Sequence, residues 1–294
     1  MKELKLIKGC GRTGNFIICL LCAICHAKKY GFEKIDFSNV HWSPNPSISK
    51  KIISDFFKEL EIIISKESNS NNTVSEFSVD KFYRTIPLTF SERIEVVKKY
   101  IKPIMNINPQ KIGDNDLVIH LRSGDIMVAG NMDMIQPPLE FYIKVIELRK
   151  WDKIYVITER VPLNPIYDVV KENYKNVITF VEDKRDRTNG YNFKKDFDYL
   201  IAATHYVPCQ SSLCPFIIQI SDTIKNVYVP SYYFNSLNST YNWWTKSLFK
   251  KKTNLVINDI HFTIYDYDKY LNSDRDMYRY SVPENKDRLL KYKS

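Results

Sequence analysis

No stretch of this sequence is apolar for long enough to cross a bilayer. Its longest apolar segment, residues 16–27, covers about a dozen positions before Lys28 and Lys29 close it, whereas a spanning helix needs about 20. The first residues, Met1-Lys-Glu-Leu-Lys5, are charged, and Lys8-Gly9 interrupts the apolar pattern that follows, so a secretory signal is missing as well. The expectation is a soluble cytoplasmic protein with no membrane span. Also missing are any Arg-rich block and any DNA- or RNA-binding motif. The net charge of +9 comes mostly from scattered Lys. Nucleic acid, acidic lipid and a sugar nucleotide all suit that charge, and the missing motifs argue against nucleic acid. The six cysteines do not form paired metal-binding clusters. Cys22-Ala-Ile-Cys25-His26 has haem-attachment spacing, but it lies in an apolar helical pattern without an export signal. The cysteines therefore read as small buried hydrophobes, and in a reducing compartment their even number implies no disulfides. The sequons Asn71-Asn-Thr73 and Asn238-Ser-Thr240 carry no weight without secretion.

The chain is long enough for one large domain or two ordinary ones, at 294 residues. With 44% hydrophobic and 14% aromatic residues it can bury a sizeable core. Its organising stretch is Leu117-Val-Ile-His-Leu-Arg-Ser-Gly-Asp125. The apolar run has strand length between Gly113 and Gly124. His120 and Arg122, two apart, share one side of that strand's carboxyl end. Ligands of open α/β sheets bind there, and a guanidinium held there can grip a phosphate with two parallel hydrogen bonds.

From residue 117 onward, strands and helices alternate. Strands are expected at 117–121, 153–158, 177–181, 205–207 and 227–229, with helices at 138–148, 165–174, 194–204 and 213–221. This pattern implies a parallel, doubly wound sheet. A first unit of the same kind occupies the first 40 residues: a strand at 4–7, a glycine loop, and a helix over 16–30. Gly9, Gly11 and Gly14 fall within six residues, so backbone approaches a ligand at a helix N-terminus. The loop lacks the Gly-Lys-Ser/Thr of a Walker motif. With Asp36 some twenty residues on, it also admits an NAD(P)-dependent oxidoreductase. Residues 48–65 are apolar enough for one or two helices, 66–74 form a polar loop, and a helix over 91–100 opens on a Ser cap. The expected domains are a Rossmann-like one over 1–110, a nucleotide-sugar-binding one over 111–230, and an aromatic and charged segment over 231–294 that packs back on both. In that last segment Tyr232, Tyr233, Phe234, Tyr241, Trp243 and Trp244 are read as rings covering a core edge, with stacking on a sugar as the alternative.

Asp196-Phe-Asp198 opens one helix, and Ser211-Ser212 stand at the cap of the next, where hydroxyls and helix N–H groups suit either capping or a phosphate. The D-x-D form recurs at Asp114 and Asp266, which makes it a weak sign of metal binding, and carboxylates at a helix start are favoured by the dipole alone.

Three of these features occur in one order. Gly11-Arg-Thr-Gly-Asn15 before an apolar helix resembles the G-R-x-G-N motif of the fucosyltransferase superfamily. His120-Leu-Arg-Ser-Gly-Asp125 resembles its H-x-R-x-G-D motif. Asp196, followed by Ser211-Ser212 and Cys214, resembles its third motif. The likeness covers roughly residues 8–30 and 115–222. It implies an α/β protein of GT-B type, with two facing Rossmann-like domains and a central cleft. It also implies an inverting transfer from GDP-fucose to a glycan acceptor without a metal or other cofactor. By the same likeness Arg122 would meet the departing β-phosphate and His120 would support the nucleotide. Ser211 and Ser212 would hold the diphosphate, Asp196 the nucleotide or its phosphate loop, and Gly11, Arg12, Gly14 and Asn15 would face the cleft. Gly124 joins the donor-binding set, and Asp125 is taken with Arg122 as catalytic. Asp133, Glu140 and Glu159 are further candidates for an acceptor base. Many α1,2- and α1,6-transferring members have Arg where Ser123 stands, so a UDP-sugar such as UDP-xylose stays open as donor. A non-catalytic glycan-binding protein is the third possibility.

Overall fold

A computed structural model of the chain describes residues 3–6, 21, 23–24, 34–36, 74–77, 90–105, 107–124, 126–129, 135–158, 164–174, 178–180, 193–211, 213–235, 254–270 and 279–293. The protein is of mixed α/β class. It divides into two compact units. The first comprises residues 1–108, 215–220 and 240–245, and the second 109–214, 221–239 and 246–294.

In the first unit, β1 (Glu3–Leu6) lies between β2 (Lys34–Asp36) and β3 (Val74–Phe77), and both pairings are parallel. Leu21, Ala23 and Ile24 are helical and buried, inside the helix expected over 16–30. Helix α1 (Phe90–Val96) winds on through a π turn over Val97–Ile101 and a 3-10 turn over Lys102–Ile104. It starts one residue before the Ser91 expected to cap it. The expected helices over 48–65 and positions 66–73 of the expected loop over 66–74 lie outside the described residues, while Val74, its last position, begins β3.

The second unit is built on a seven-stranded sheet. Its strands are β4 (Leu117–Leu121), β5 (Ile154–Thr158), β6 (Ile178–Phe180), β7 (His205–Val207), β8 (Asn226–Pro230), β9 (Asn254–Ile257) and β10 (Ile260–Tyr265), in the order β6-β5-β4-β7-β8-β10-β9. Six strands run parallel, and β9 is antiparallel to β10. Counted from β4 the parallel strands run 3-2-1-4-5-6, the order of a Rossmann sheet, which reverses direction between β4 and β7. Helices α2 (Ile126–Ala129), α3 (Leu139–Ile146), α4 (Ile166–Asn173) and α5 (Phe193–Leu200) are interleaved with the strands, and α6 (Leu213–Ile220) follows β7 in the chain, its residues 215–220 counted with the first unit. Short helix α7 (Tyr232–Asn235) follows β8, and α8 (Pro283–Lys291) closes the chain. Among the described residues no helix is long and apolar enough to cross a membrane.

Burial explains the pattern of each strand. All five residues of β4 are buried, as a central parallel strand covered on both faces requires. At the far edge β10 alternates between buried and exposed and β9 is mostly open, so a one-sided, period-two pattern suffices there. Asn258 and Asp259 join this pair with φ of 48° and 62°, the left-handed geometry that a two-residue hairpin needs and that Asn and Asp tolerate. Tyr232 and Tyr233 are buried, so these two rings of the aromatic tail cover the core. The C-terminal segment returns to the loop after β4: the Ser281 N–H donates to the Met127 carbonyl at 2.9 Å, and the Gln136 N–H to the Tyr280 hydroxyl at 3.1 Å.

At the start of β7 the buried His205 ring meets the Trp151 ring edge-on at 5.0 Å, and its Nδ1 lies 3.0 Å from the Tyr228 hydroxyl. Burial, with the nearby Arg149 charge, lowers its pKa from 6.5 to about 4. The unfolded chain therefore takes up this proton at a higher pH than the folded one. The neutral ring contributes its full stability above pH 6.5, loses it progressively as pH falls towards 4, and contributes nothing below that. Denaturant melts at several pH values should show a smaller loss across that window in His205→Gln than in the parent.

Candidate functional site

Because the chain leaves β4 towards β5 on one side and returns to β7 on the other, the loops after β4 and β7 diverge. A crevice opens between such loops at the carboxyl edge of a sheet. His120, Arg122 and Gly124 belong to the end of β4, and Cys209, Ser211 and Cys214 to the connection from β7 into α6. The topology thus brings two of the sequence motifs to one place.

The end of β4 is held from its other neighbour. Asn164, fully buried ahead of α4, donates from Nδ2 to the Arg122 carbonyl at 3.0 Å. Its Oδ1 accepts the Ile166 N–H at 3.0 Å, which satisfies the start of α4. Its own N–H donates to Ser123 Oγ at 2.9 Å, and that oxygen lies 2.7 Å from Thr158 Oγ1 at the end of β5. Ser123 is itself fully buried. It acts as a cross-link beneath the loop and lines no surface pocket. Gly124 follows with φ of 80°, a conformation that L side chains avoid. Arg122 is therefore fixed through its backbone while its side chain stays partly exposed.

His120 points to the connection after β7. Its Nδ1 is 3.3 Å from Cys214 Sγ and 3.5 Å from the Tyr206 hydroxyl, and Cys214 Sγ is 3.6 Å from Cys209 Sγ. All four side chains are buried. Burial pushes the Cys209 thiol up, and its hydrogen bond with Cys214 adds to that. Burial acts on Cys214 in the same direction, but the hydrogen bond from Cys209 and the adjoining His120 outweigh it and hold this thiol well below its usual range. The positive charge of Arg122 also reaches Cys209. The thiols are thus unequal, with Cys214 the more acidic.

Ser211 caps α6. Its Oγ accepts the Leu213 N–H at 3.3 Å and its carbonyl accepts the Cys214 N–H at 3.1 Å. Residue 215 is Pro and has no N–H. The first turn of α6 therefore spends its described N–H groups internally. Among the described residues the Ser211 hydroxyl has no acceptor for its own proton.

Asp196 and Asp198 are both buried in α5. Two apart on a helix, they do not face each other, so they cannot close on one ion as a D-x-D pair. Asp116 Oδ2 accepts the Gly113 N–H at 2.7 Å and Asp114 Oδ1 accepts from the Thr204 hydroxyl at 3.4 Å, so this second D-x-D serves the turn ahead of β4. Glu140 pairs with Lys144 at 3.0 Å along α3. Gly11, Arg12, Gly14, Asn15, Asp125, Asp133, Glu159 and the side chain of Ser212 lie outside the described residues. Thr158, Asn164 and Tyr206 were not singled out in the sequence; Cys209 was read as a buried hydrophobe, and Cys214 as that and as part of the third motif. The one sequence signal for the thiols was Cys209-x4-Cys214 straddling a strand-to-helix connection.

Comparison with protein-family models, curated proteins and solved structures produced no match for the chain.

Replacing Asn164 with Ala would orphan the Arg122 carbonyl and the Ile166 N–H together. The expected cost is about 2–4 kcal/mol, read as a lower denaturation midpoint with an unchanged slope.

Proposed function

We propose that this chain is a cytoplasmic, inverting glycosyltransferase that moves a sugar from a nucleotide-diphosphate donor, GDP-fucose in the favoured form, to a glycan acceptor. UDP-xylose is the alternative donor in the same scheme. The fold that goes with the proposal is GT-B, in which the Rossmann-ordered sheet of the second unit carries the donor.

The supporting observation is Arg122 at the carboxyl end of β4, beside the reversal of strand order, with its carbonyl tied down by Asn164. As a glycosidic bond to a diphosphate breaks, negative charge builds on the leaving β-phosphate. A guanidinium already in place there binds the transition state more tightly than the ground state. The backbone anchor limits the reorganisation needed at that moment. Ser211 would donate its hydroxyl proton to the same diphosphate. Asp196, buried in α5, would act on the nucleotide only through its neighbours. In this scheme Gly11, Arg12, Gly14 and Asn15 would also bind the donor, Asp125 is taken with Arg122 as catalytic, and Asp133, Glu140 and Glu159 are equal candidates for an acceptor base. The chemistry needs no metal, since Arg122 supplies the positive charge.

A dinucleotide-dependent oxidoreductase is the second reading, and one observation favours it. Asp36 ends β2, which pairs in parallel with β1, and Gly9, Gly11 and Gly14 follow β1 in the sequence. An acidic residue at that strand end is where a ribose hydroxyl would be held.

Arg122→Ala removes a charge-assisted bond of about 1.5–3 kcal/mol, so transfer should fall at least tenfold while the melting temperature stays near that of the parent. An undiminished transfer rate would exclude the role given to Arg122. Stabilisation by NAD or NADP, with none from GDP or UDP, in a thermal-shift panel would select the second reading.

A further inference from the structure

Among the described residues, one cluster of metal-ligating side chains stands out: the ligand atoms of His120, Cys209 and Cys214 all lie within 4.8 Å of one another. We propose that these three residues bind a structural zinc ion that fastens the end of β4 to the connection between β7 and α6. The proposal goes beyond the glycosyltransferase reading and does not depend on it.

The separations suit the ion. With Zn–S of about 2.3 Å and Zn–N of about 2.0–2.1 Å, tetrahedral coordination sets sulfur atoms about 3.8 Å apart and sulfur to nitrogen about 3.6 Å apart. The observed edges are 3.6 Å between Cys209 Sγ and Cys214 Sγ and 3.3 Å between Cys214 Sγ and His120 Nδ1. Three atoms therefore already mark out one face of a tetrahedron, within a few tenths of an ångström on those two edges. The fourth position is bordered by the buried Tyr206 hydroxyl, 3.5 Å from the same nitrogen. A hydroxyl there can donate to a bound thiolate and orient it.

The chemistry of the donors selects the ion. Two sulfurs and an imidazole nitrogen are soft ligands, unsuited to magnesium or calcium, which want oxygen. Two thiolates and a neutral imidazole around a divalent ion sum to zero charge. That balance matters because the site is dry: Cys214 is 0% and Cys209 2% exposed, and a net charge there would be costly. Binding releases the thiol protons, so the complex forms without leaving either sulfur protonated.

The ligands come from two paired strands and the helix after them, and the β4–β7 pairing ends at Ile119 and Val207, just short of the ligands. His120 lies in β4, Cys209 after β7, and Cys214 in the first turn of α6. An ion at their meeting point would lock these segments together just beneath Arg122 and Ser211. His120 then becomes a positioning residue for the strand end, in place of a direct contact to the nucleotide.

The full-length protein, expressed with added zinc and purified reduced and without chelator, should contain about one zinc per chain by mass spectrometry. Replacing the ion with cobalt should give the intense visible bands of a tetrahedral thiolate site. C209S/C214S should lose both signals. The converse variant, C10S/C19S/C22S/C25S, keeps the proposed ligands and should retain both, so a folding failure of the first variant does not protect the idea. Metal-free reduced protein that takes up neither zinc nor cobalt would overturn the proposal. So would zinc retained in C209S/C214S, lost in the converse variant while that variant stays folded, or a Cys209–Cys214 disulfide found in the native protein by peptide mapping.

Discussion

The chain departs from β4 on one side and comes back on the other, and that reversal is the constraint from which the local chemistry follows. Two loops that would otherwise pack against each other are parted, and the carboxyl end of β4 is left between them. A strand end in that position needs fastening on both flanks. On the β5 side Asn164, Ser123 and Thr158 form a buried hydrogen-bonded cross-link. On the β7 side His120 rests on Tyr206 and Cys214. Arg122 lies between these two anchorages.

The same reasoning separates residues that serve the site from residues that serve the scaffold. Ser123 stands inside the motif but faces Thr158 and Asn164. A longer side chain there would break the cross-link before it reached any ligand. Asp114 and Asp116 have the form of a metal motif, yet they close the turn that launches β4. Ser211 both caps α6 and keeps a proton to donate. A polar residue in a motif is informative only once its hydrogen-bonding partners are counted.

Much of the second unit was legible in the sequence because its strands obey simple patterns. The strands at 117–121 and 205–207 match the expected bounds, and α3, α4 and α6 fall within those expected for them. Central parallel strands read as short continuous apolar runs, and the helices between them carry apolar residues at helical spacing. The hairpin of β9 and β10 was missed. Its strands are half exposed, and the turn signal, Asn258-Asp259, lacks the glycine that usually marks such a turn. The sequence placed these residues only in an aromatic and charged segment packing back on the domains, without the parallel pairing of β10 with β8.

By itself the sequence determined the alternation of strands and helices in the second unit and the apolar character of β4. These are properties of adjacent residues, set by backbone period and side-chain burial. Only the tertiary structure decided that His120 would meet two cysteines some ninety positions away, and that Asn164 would hold the Arg122 carbonyl. Contacts of that kind depend on which strand lies beside which. Strand order is set by packing across the whole sheet, and no local pattern of residues encodes it.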